Sequence, residues 1–167
     1  DGSVKCWGDD SEGQLGNGGS NSDITSPPAS AINLGTGRTA KAITGGEFHF
    51  CAILDDDSIK CWGEGDDGKL GTGSTGNKNT PTSTSGSFAS GRYAVAIDAG
   101  YDHTCVILDN GQLTCWGSDA DGQLGNGATT GTKSSLQSST VSLGTGRTAI
   151  SLSAGGEHTC AQLDNGQ

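Results

Sequence analysis

A thirteen-residue string occurs three times in this chain: CWGDDSEGQLGNG from Cys6, CWGEGDDGKLGTG from Cys61 and CWGSDADGQLGNG from Cys115, at steps of 55 and 54 residues. A period of that length marks supersecondary units that each bury too little alone and are stabilised by stacking on their neighbours. The 167 residues therefore read as a single repeat array over 1–167. Hairpin-centred repeats are predicted over about 1–55, 56–109 and 110–164, with 165–167 starting a further one. Thirty glycines and only 31% hydrophobic residues argue against helices, where glycine is costly, and for short strands joined by tight turns.

The unit is clearest in AGYDHTCVILDNGQLTCWGSDADGQLGNG from Ala99, with a second copy from Gly45 and the start of a third at Ala154. A short alternating segment precedes each copy (40–44, 94–98 and 149–153) and predicts a strand. Asp109-Asn110-Gly111 supplies a three-residue hairpin loop whose glycine can take positive φ. Counting outward from that loop sets Ile107 against Leu113 and Cys105 against Cys115. The same count sets Cys51 against Cys61, at a separation a disulfide tolerates. Cys6 and Cys160 then stand on two interrupted hairpins, and a Cys160–Cys6 bridge between successive units would complete the set. Regular disulfides predict an oxidising compartment, so an extracellular or cell-surface setting is expected.

From a Gly-x-x-His start through the hairpin, Trp-Gly and Gly-Gln-Leu-Gly-x-Gly, the unit resembles the regulator of chromosome condensation repeat. The resemblance covers essentially the whole chain. It implies an all-β fold of propeller-type blades, one four-stranded antiparallel sheet per repeat, in a family whose rings usually have seven blades. About three repeats make an incomplete ring or part of a larger assembly. The paired cysteines resemble those of secreted bacterial relatives. No motif of the family's guanine-nucleotide-exchange activity is matched outside the repeat, which makes that activity the least favoured reading.

Residues that look chemical are nearly all periodic. His49, His103 and His158 each stand two residues before a cysteine, a partial zinc-ligand spacing without the close Cys-x-x-Cys knuckle. A hydrogen bond from each imidazole to the backbone of the next unit is expected instead. Trp7, Trp62 and Trp116 are expected to pack between blades rather than form a sugar-stacking row. Arg38, Arg92 and Arg147, each in a Gly-Arg-x-Ala turn, are expected to tie neighbouring blades to carbonyls or acidic loops. The loops Glu64-Gly65-Asp66-Asp67-Gly68 and Asp119-Ala120-Asp121-Gly122 faintly resemble calcium loops but lack the bidentate glutamate and flanking helices of an EF-hand. No nucleophile elbow or phosphate-binding glycine signature occurs.

The polar, variable segments 20–31, 72–90 and 128–142 are expected to be surface connections. A net charge of −10 disfavours nucleic acid, whose binding depends on Lys and Arg. No stretch is long and apolar enough to insert into a membrane. Asp1 aligns with Asn110 inside a hairpin turn, so the chain reads as a piece of a longer array or a self-assembling protomer. Together these features predict a non-enzymatic structural module without a cofactor, associating with its own kind or with neighbouring repeats. A protein or glycan ligand held by the variable loops is the alternative.

Overall fold

In β2 (His49–Leu54) every residue but Phe50 is buried, and in β6 (His103–Leu108) every residue is buried, so both faces of each hairpin must meet a packing partner. That requirement organises the computed structural model, which describes residues 1–19, 21–129 and 131–166. Ser20 and Thr130 of the variable segments, and Gln167, lie outside the described residues.

One antiparallel sheet has the order β1-β2-β3-β4, with β1 Ala40–Gly45, β3 Ile59–Gly63 and β4 Lys78–Ser83. A second repeats it as β5-β6-β7-β8, with β5 Ala94–Ala99, β7 Leu113–Ser118 and β8 Thr132–Lys133. β9 (Ala149–Ala154) and β10 (Thr159–Leu163) form a two-stranded sheet. Ahead of the first sheet, Gly8 bridges Ile24 and the Ile32 amide donates to the Val4 carbonyl, outlining the outer strands of a further blade. β1 lies against β5 and β5 against β9, so the sheets stack in an open series. The repeat borders at 55/56 and 109/110 fall in hairpin turns, and each sheet spans the border.

Alternation sends neighbouring side chains of one strand into different layers. Cys51 and Ile53 join Leu70, Val106 and Trp116 between the two large sheets. Ala52 and Leu54 instead meet Val4, Leu15 and Trp62 on the opposite face. Cys105 and Ile107 repeat the pattern toward Leu124 and Ala149. Each interior strand is thereby shared by two cores, and no core belongs to one repeat.

The hairpins have Cys51 opposite Cys61 and Cys105 opposite Cys115. Both pairs form disulfides, with Cα atoms 4.1 Å apart. Gly111 turns the second hairpin at φ 77°, its amide donating to the Leu108 carbonyl at 2.8 Å. In all three inner strands the register slips at the same place, between Ala40 and Ala42, between Ala94 and Ala96, and opposite Gln162/Leu163. The residues passed over are Lys41, Val95 and Ile150, all exposed.

The expectation that the variable segments are only surface connections is corrected here. Residues 78–83 form β4 and 132–133 form β8. An outermost strand is recruited by backbone hydrogen bonds and needs no apolar alternation, and Pro81 is tolerated in β4 because that strand is an edge. Among the described residues no helix is long and apolar enough to cross a membrane.

Replacing Cys51 and Cys61 together by alanine is expected to cost about 2–3 kcal/mol, the loop-entropy contribution of a short bridge. Urea unfolding of the double variant against the parent, both without reductant so that Cys105–Cys115 stays closed, checks this.

Candidate functional site at the blade junctions

Each junction is built around a Gly-Gln/Lys-Leu-Gly loop that receives side chains from the following blade. The Trp62 indole Nε1 donates to the Gln14 carbonyl at 2.9 Å, and Trp116 Nε1 donates to the Lys69 carbonyl at 2.9 Å. Both indoles are fully buried. They lie flat against the glycine that ends the loop: a Cβ on Gly16 would sit 2.7 Å from Trp62, and one on Gly71 2.8 Å from Trp116. Glycine is required there by space as well as by φ values of 66° and 64°.

The Lys69 carbonyl also accepts the Thr104 hydroxyl at 3.0 Å, so two donors from the next blade share one oxygen. Thr104 Oγ1 lies 3.0 Å from His49 Nε2. Because the hydroxyl proton already points at the carbonyl, His49 Nε2 carries the proton and donates to Thr104. The arrangement recurs one junction on, where His103 Nε2 lies 2.8 Å from Thr159 Oγ1 and that hydroxyl donates to the Gln123 carbonyl at 2.9 Å. The expected contact from imidazole to the next unit's backbone is thus corrected: each ring ends on a threonine side chain of the next blade, and that hydroxyl donates back to a loop carbonyl of the histidine's own blade. At the first junction Phe50 occupies the threonine position and stacks on Trp62, with ring centroids 6.0 Å apart.

Burial, then the Lys69 ammonium, then His103 push the His49 pKa down to about 3. Burial likewise lowers that of His103. Both rings are neutral in the folded protein, and their Nδ1 atoms are buried without a protein partner.

Lys69, whose side chain is 1% exposed, reaches Glu64 of its own loop and Asp102 of the next blade, the latter at 2.5 Å. Burial alone would depress the ammonium, but the hydrogen bonds it donates to Asp102 and Glu64 outweigh that and hold the pKa above its ordinary value. Gln14 and Gln123 hold the matching loop positions. Asp98 ties three inner strands, accepting the Thr44 hydroxyl at 2.9 Å and the Ala154 amide at 2.9 Å.

Three expectations change. Trp7 is 55% exposed and packs at no junction among the described residues, because the loop it would meet precedes its own blade. His158 is exposed, whereas His49 and His103 are enclosed. The arginines act within a blade and do not tie neighbours. Arg38 pairs with Asp56 at 2.8 Å and Asp55 at 3.5 Å, Arg92 with Asp109 at 2.9 Å and Arg147 with Asp164 at 3.4 Å. Each arginine precedes the inner strand and reaches the adjacent hairpin turn of its own sheet, which carries the carboxylate it pairs with. Cys6 is buried and Cys160 exposed, both as free thiols, and burial pushes the Cys6 thiol up to about 11.

The acidic loops have a structural task. Buried Asp10 accepts the Leu15 amide at 2.9 Å and the Asn17 amide group at 3.3 Å. Asp119 does the same with Leu124 at 3.2 Å and Asn126 at 2.6 Å. The sequence carries that signal as an Asp and an Asn seven residues apart, replaced together by Gly65 and Thr72 in the middle repeat. Among the described residues no cluster of three or more His, Cys, Asp or Glu side chains could hold a metal ion.

Blades stacked through such loops define a repeat protein of the β-propeller class, whose polar side chains are spent on joining blades. The chain belongs to the regulator of chromosome condensation (RCC1) repeat family, whose models match residues 40–69, 94–123 and 56–107. It is 33% identical over 129 residues to the human E3 ubiquitin-protein ligase HERC2, covering 77% of this chain and 3% of that protein. It is 32% identical over 106 residues to the ultraviolet-B receptor UVR8 of Arabidopsis thaliana, covering 63% of this chain and 22% of the receptor. The chain therefore spans a small part of these relatives. Its fold is similar to that of Prp20p from Saccharomyces cerevisiae, with a TM-score of 0.80 at 18% identity over 94% of this chain and 38% of that one. Human WBSCR16 gives a TM-score of 0.82 at 19% identity, over 99% of this chain and 42% of that one.

Protonating His49 is disfavoured in the folded state and free in the unfolded state, so unfolding takes up protons between the two pKa values. Stability is accordingly full above pH ~6.5 and falls as the pH drops toward ~3, by on the order of a few kcal/mol. Urea titrations at pH 7, 5.5 and 4 are expected to show that fall, and His49→Gln, which keeps a donor but does not titrate, to flatten it. Thr104→Val strands the His49 donor and is expected to cost about 1–3 kcal/mol at pH 7.

Proposed function

We propose that this chain is a non-enzymatic structural repeat module of an extracellular or cell-surface protein, working by protein–protein contact, including contact with repeats of its own kind. The carrying observation is that the histidines, tryptophans and acids that suggested chemistry are largely consumed in blade construction. His49 and His103 end on threonines, Trp62 and Trp116 on loop carbonyls, and Asp10 and Asp119 on loop amides.

Two further observations support the reading. Disulfides at matching positions of successive hairpins suit an oxidising setting, where small apolar layers gain from cross-linking. Among relatives of the fold, Prp20p is described with binding to Gsp1p and histones, and a yeast RCC1 structure contains bound Kap60. Protein contact is therefore a use to which such blades are put. Recognition of a ligand through the variable segments has less support. Phe88, the aromatic residue of those segments, packs into the core between the large sheets rather than presenting an anchor to solvent.

Thiol counting tests the setting. When source cells are lysed into a thiol-blocking reagent and the protein is denatured, Cys51, Cys61, Cys105 and Cys115 are expected to escape modification until reductant is added. Mass spectrometry reads the count. Blocking of those four cysteines without reductant would refute the oxidising, extracellular assignment.

A further inference from the structure

Among the described residues, Lys69 is the amine that is buried against carboxylates: its side chain is 1% exposed, and Nζ touches Glu64 and lies 2.5 Å from Asp102 Oδ1. This group does not follow the repeat. The positions of Lys69, Glu64 and Asp102 hold Gln14, Asp9 and Phe48 at the preceding junction, and Gln123, Ser118 and Glu157 at the following one. A nucleophilic amine, a carboxyl group for it to attack and a second carboxylate to take its proton therefore meet only at the middle junction. Lys41 and Asp57 also make a contact of 2.5 Å, but at 47% and 42% exposure water holds both charges.

Both reacting ends are fixed. The Lys69 carbonyl accepts Trp116 and Thr104, and the Asp102 carbonyl accepts the Ser118 amide at 2.8 Å, so the two backbones are tied to the same sheet. The carbon to be attacked, Asp102 Cγ, is one bond beyond the oxygen that Nζ already touches. Groups held in this way react at effective molarities of about 10⁵–10⁸ M, far above the concentration of the water that would reverse the step. Asp102 is itself 43% exposed, which gives a departing water a way out.

We propose that Lys69 and Asp102 condense, without an enzyme or cofactor, into an isopeptide bond that joins the β1–β4 sheet covalently to the β5–β8 sheet. One ammonium proton passes to Glu64, and the freed amine attacks Asp102 Cγ. The N–C bond forms as a C–O bond of the carboxylate breaks. The leaving oxygen departs as water with two of the three ammonium protons, Glu64 handing on the one it took. The charges of Lys69 and Asp102 cancel, Glu64 is restored, and nothing is oxidised or reduced. The ion pair is the resting state: burial favours the neutral amine, and the hydrogen bonds to the two carboxylates overcome it. Bond formation therefore draws on a minor protonation state and is slow, but it happens once per chain and the product accumulates. This goes beyond the structural reading, since it requires neither an extracellular setting nor a partner.

The test is the mass of residues 1–167 held at neutral pH for several days and then fully reduced. The chain is expected to become lighter by one water. After trypsin, residues 61–78, uncut at Lys69, are expected to be joined to residues 93–133, while Lys41 is cut as usual. Lys69→Arg keeps the cation but not the nucleophile, and is expected to hold full mass with an unchanged far-ultraviolet circular dichroism spectrum. Glu64→Gln is expected to give the same product about 10²-fold more slowly, the contribution of one positioned proton acceptor. Full mass with Lys69 cut by trypsin after the incubation overturns the proposal. So does the loss of one water within residues 61–78 alone, which would be a bond to Glu64. A Lys69→Arg chain that is also lighter by one water overturns it as well, because the water is then lost elsewhere.

Discussion

The Lys69 carbonyl accepts an indole and a hydroxyl from the next blade, and the rest of the structure is arranged to present that oxygen. A loop carbonyl buried between two sheets is costly unless it is hydrogen-bonded. Gly71 lets the ring come close enough, Thr104 brings the second donor, and His49 behind it satisfies the remaining capacity of the threonine. Blade stacking is therefore specified by hydrogen-bond direction as well as by apolar area, and a blade that slid along its neighbour would leave buried polar groups unmet.

Around this polar centre the apolar layers are shared. Because Cys51 and Ile53 face one neighbour while Ala52 and Leu54 face the other, no blade has a private core. The disulfides lie inside these layers and hold each hairpin's own two strands in register, while Asp98 ties together the inner strands of three sheets. The same logic separates the residues that hold a blade together from those that hold blades to one another. Arg92 with Asp109 belongs to the first group, and Lys69 with Asp102 to the second.

The middle junction differs from the other two in chemistry. A buried lysine paired with two more exposed carboxylates replaces a glutamine, and the Asp–Asn clasp of the loop gives way to Gly65 and Thr72, with Asp67 turned at φ 56°. Glu64 of the same loop partners the buried lysine, and a blade offering a carboxylate where Asp102 stands adds a second partner across the junction. Such differences make neighbouring junctions non-equivalent and favour one order of blades.

The period, the hairpin register and the two cysteine pairings within hairpins were legible from the chain alone, because turn chemistry and alternation are local and a two-residue side-chain period leaves little freedom in register. Trp62, Trp116, His49 and His103 were legible as packing residues for the same reason: they recur with the scaffold. What they touch was not. The threonine between imidazole and carbonyl, the arginine clips within a blade, the fourth strands drawn from polar segments and the exposure of Trp7 all depend on which sheet lies against which. A repeat sequence states the contacts a unit can offer. Only the stacked structure decides which are taken, because a donor and its acceptor sit some fifty residues apart in the chain and meet only when two sheets are brought face to face.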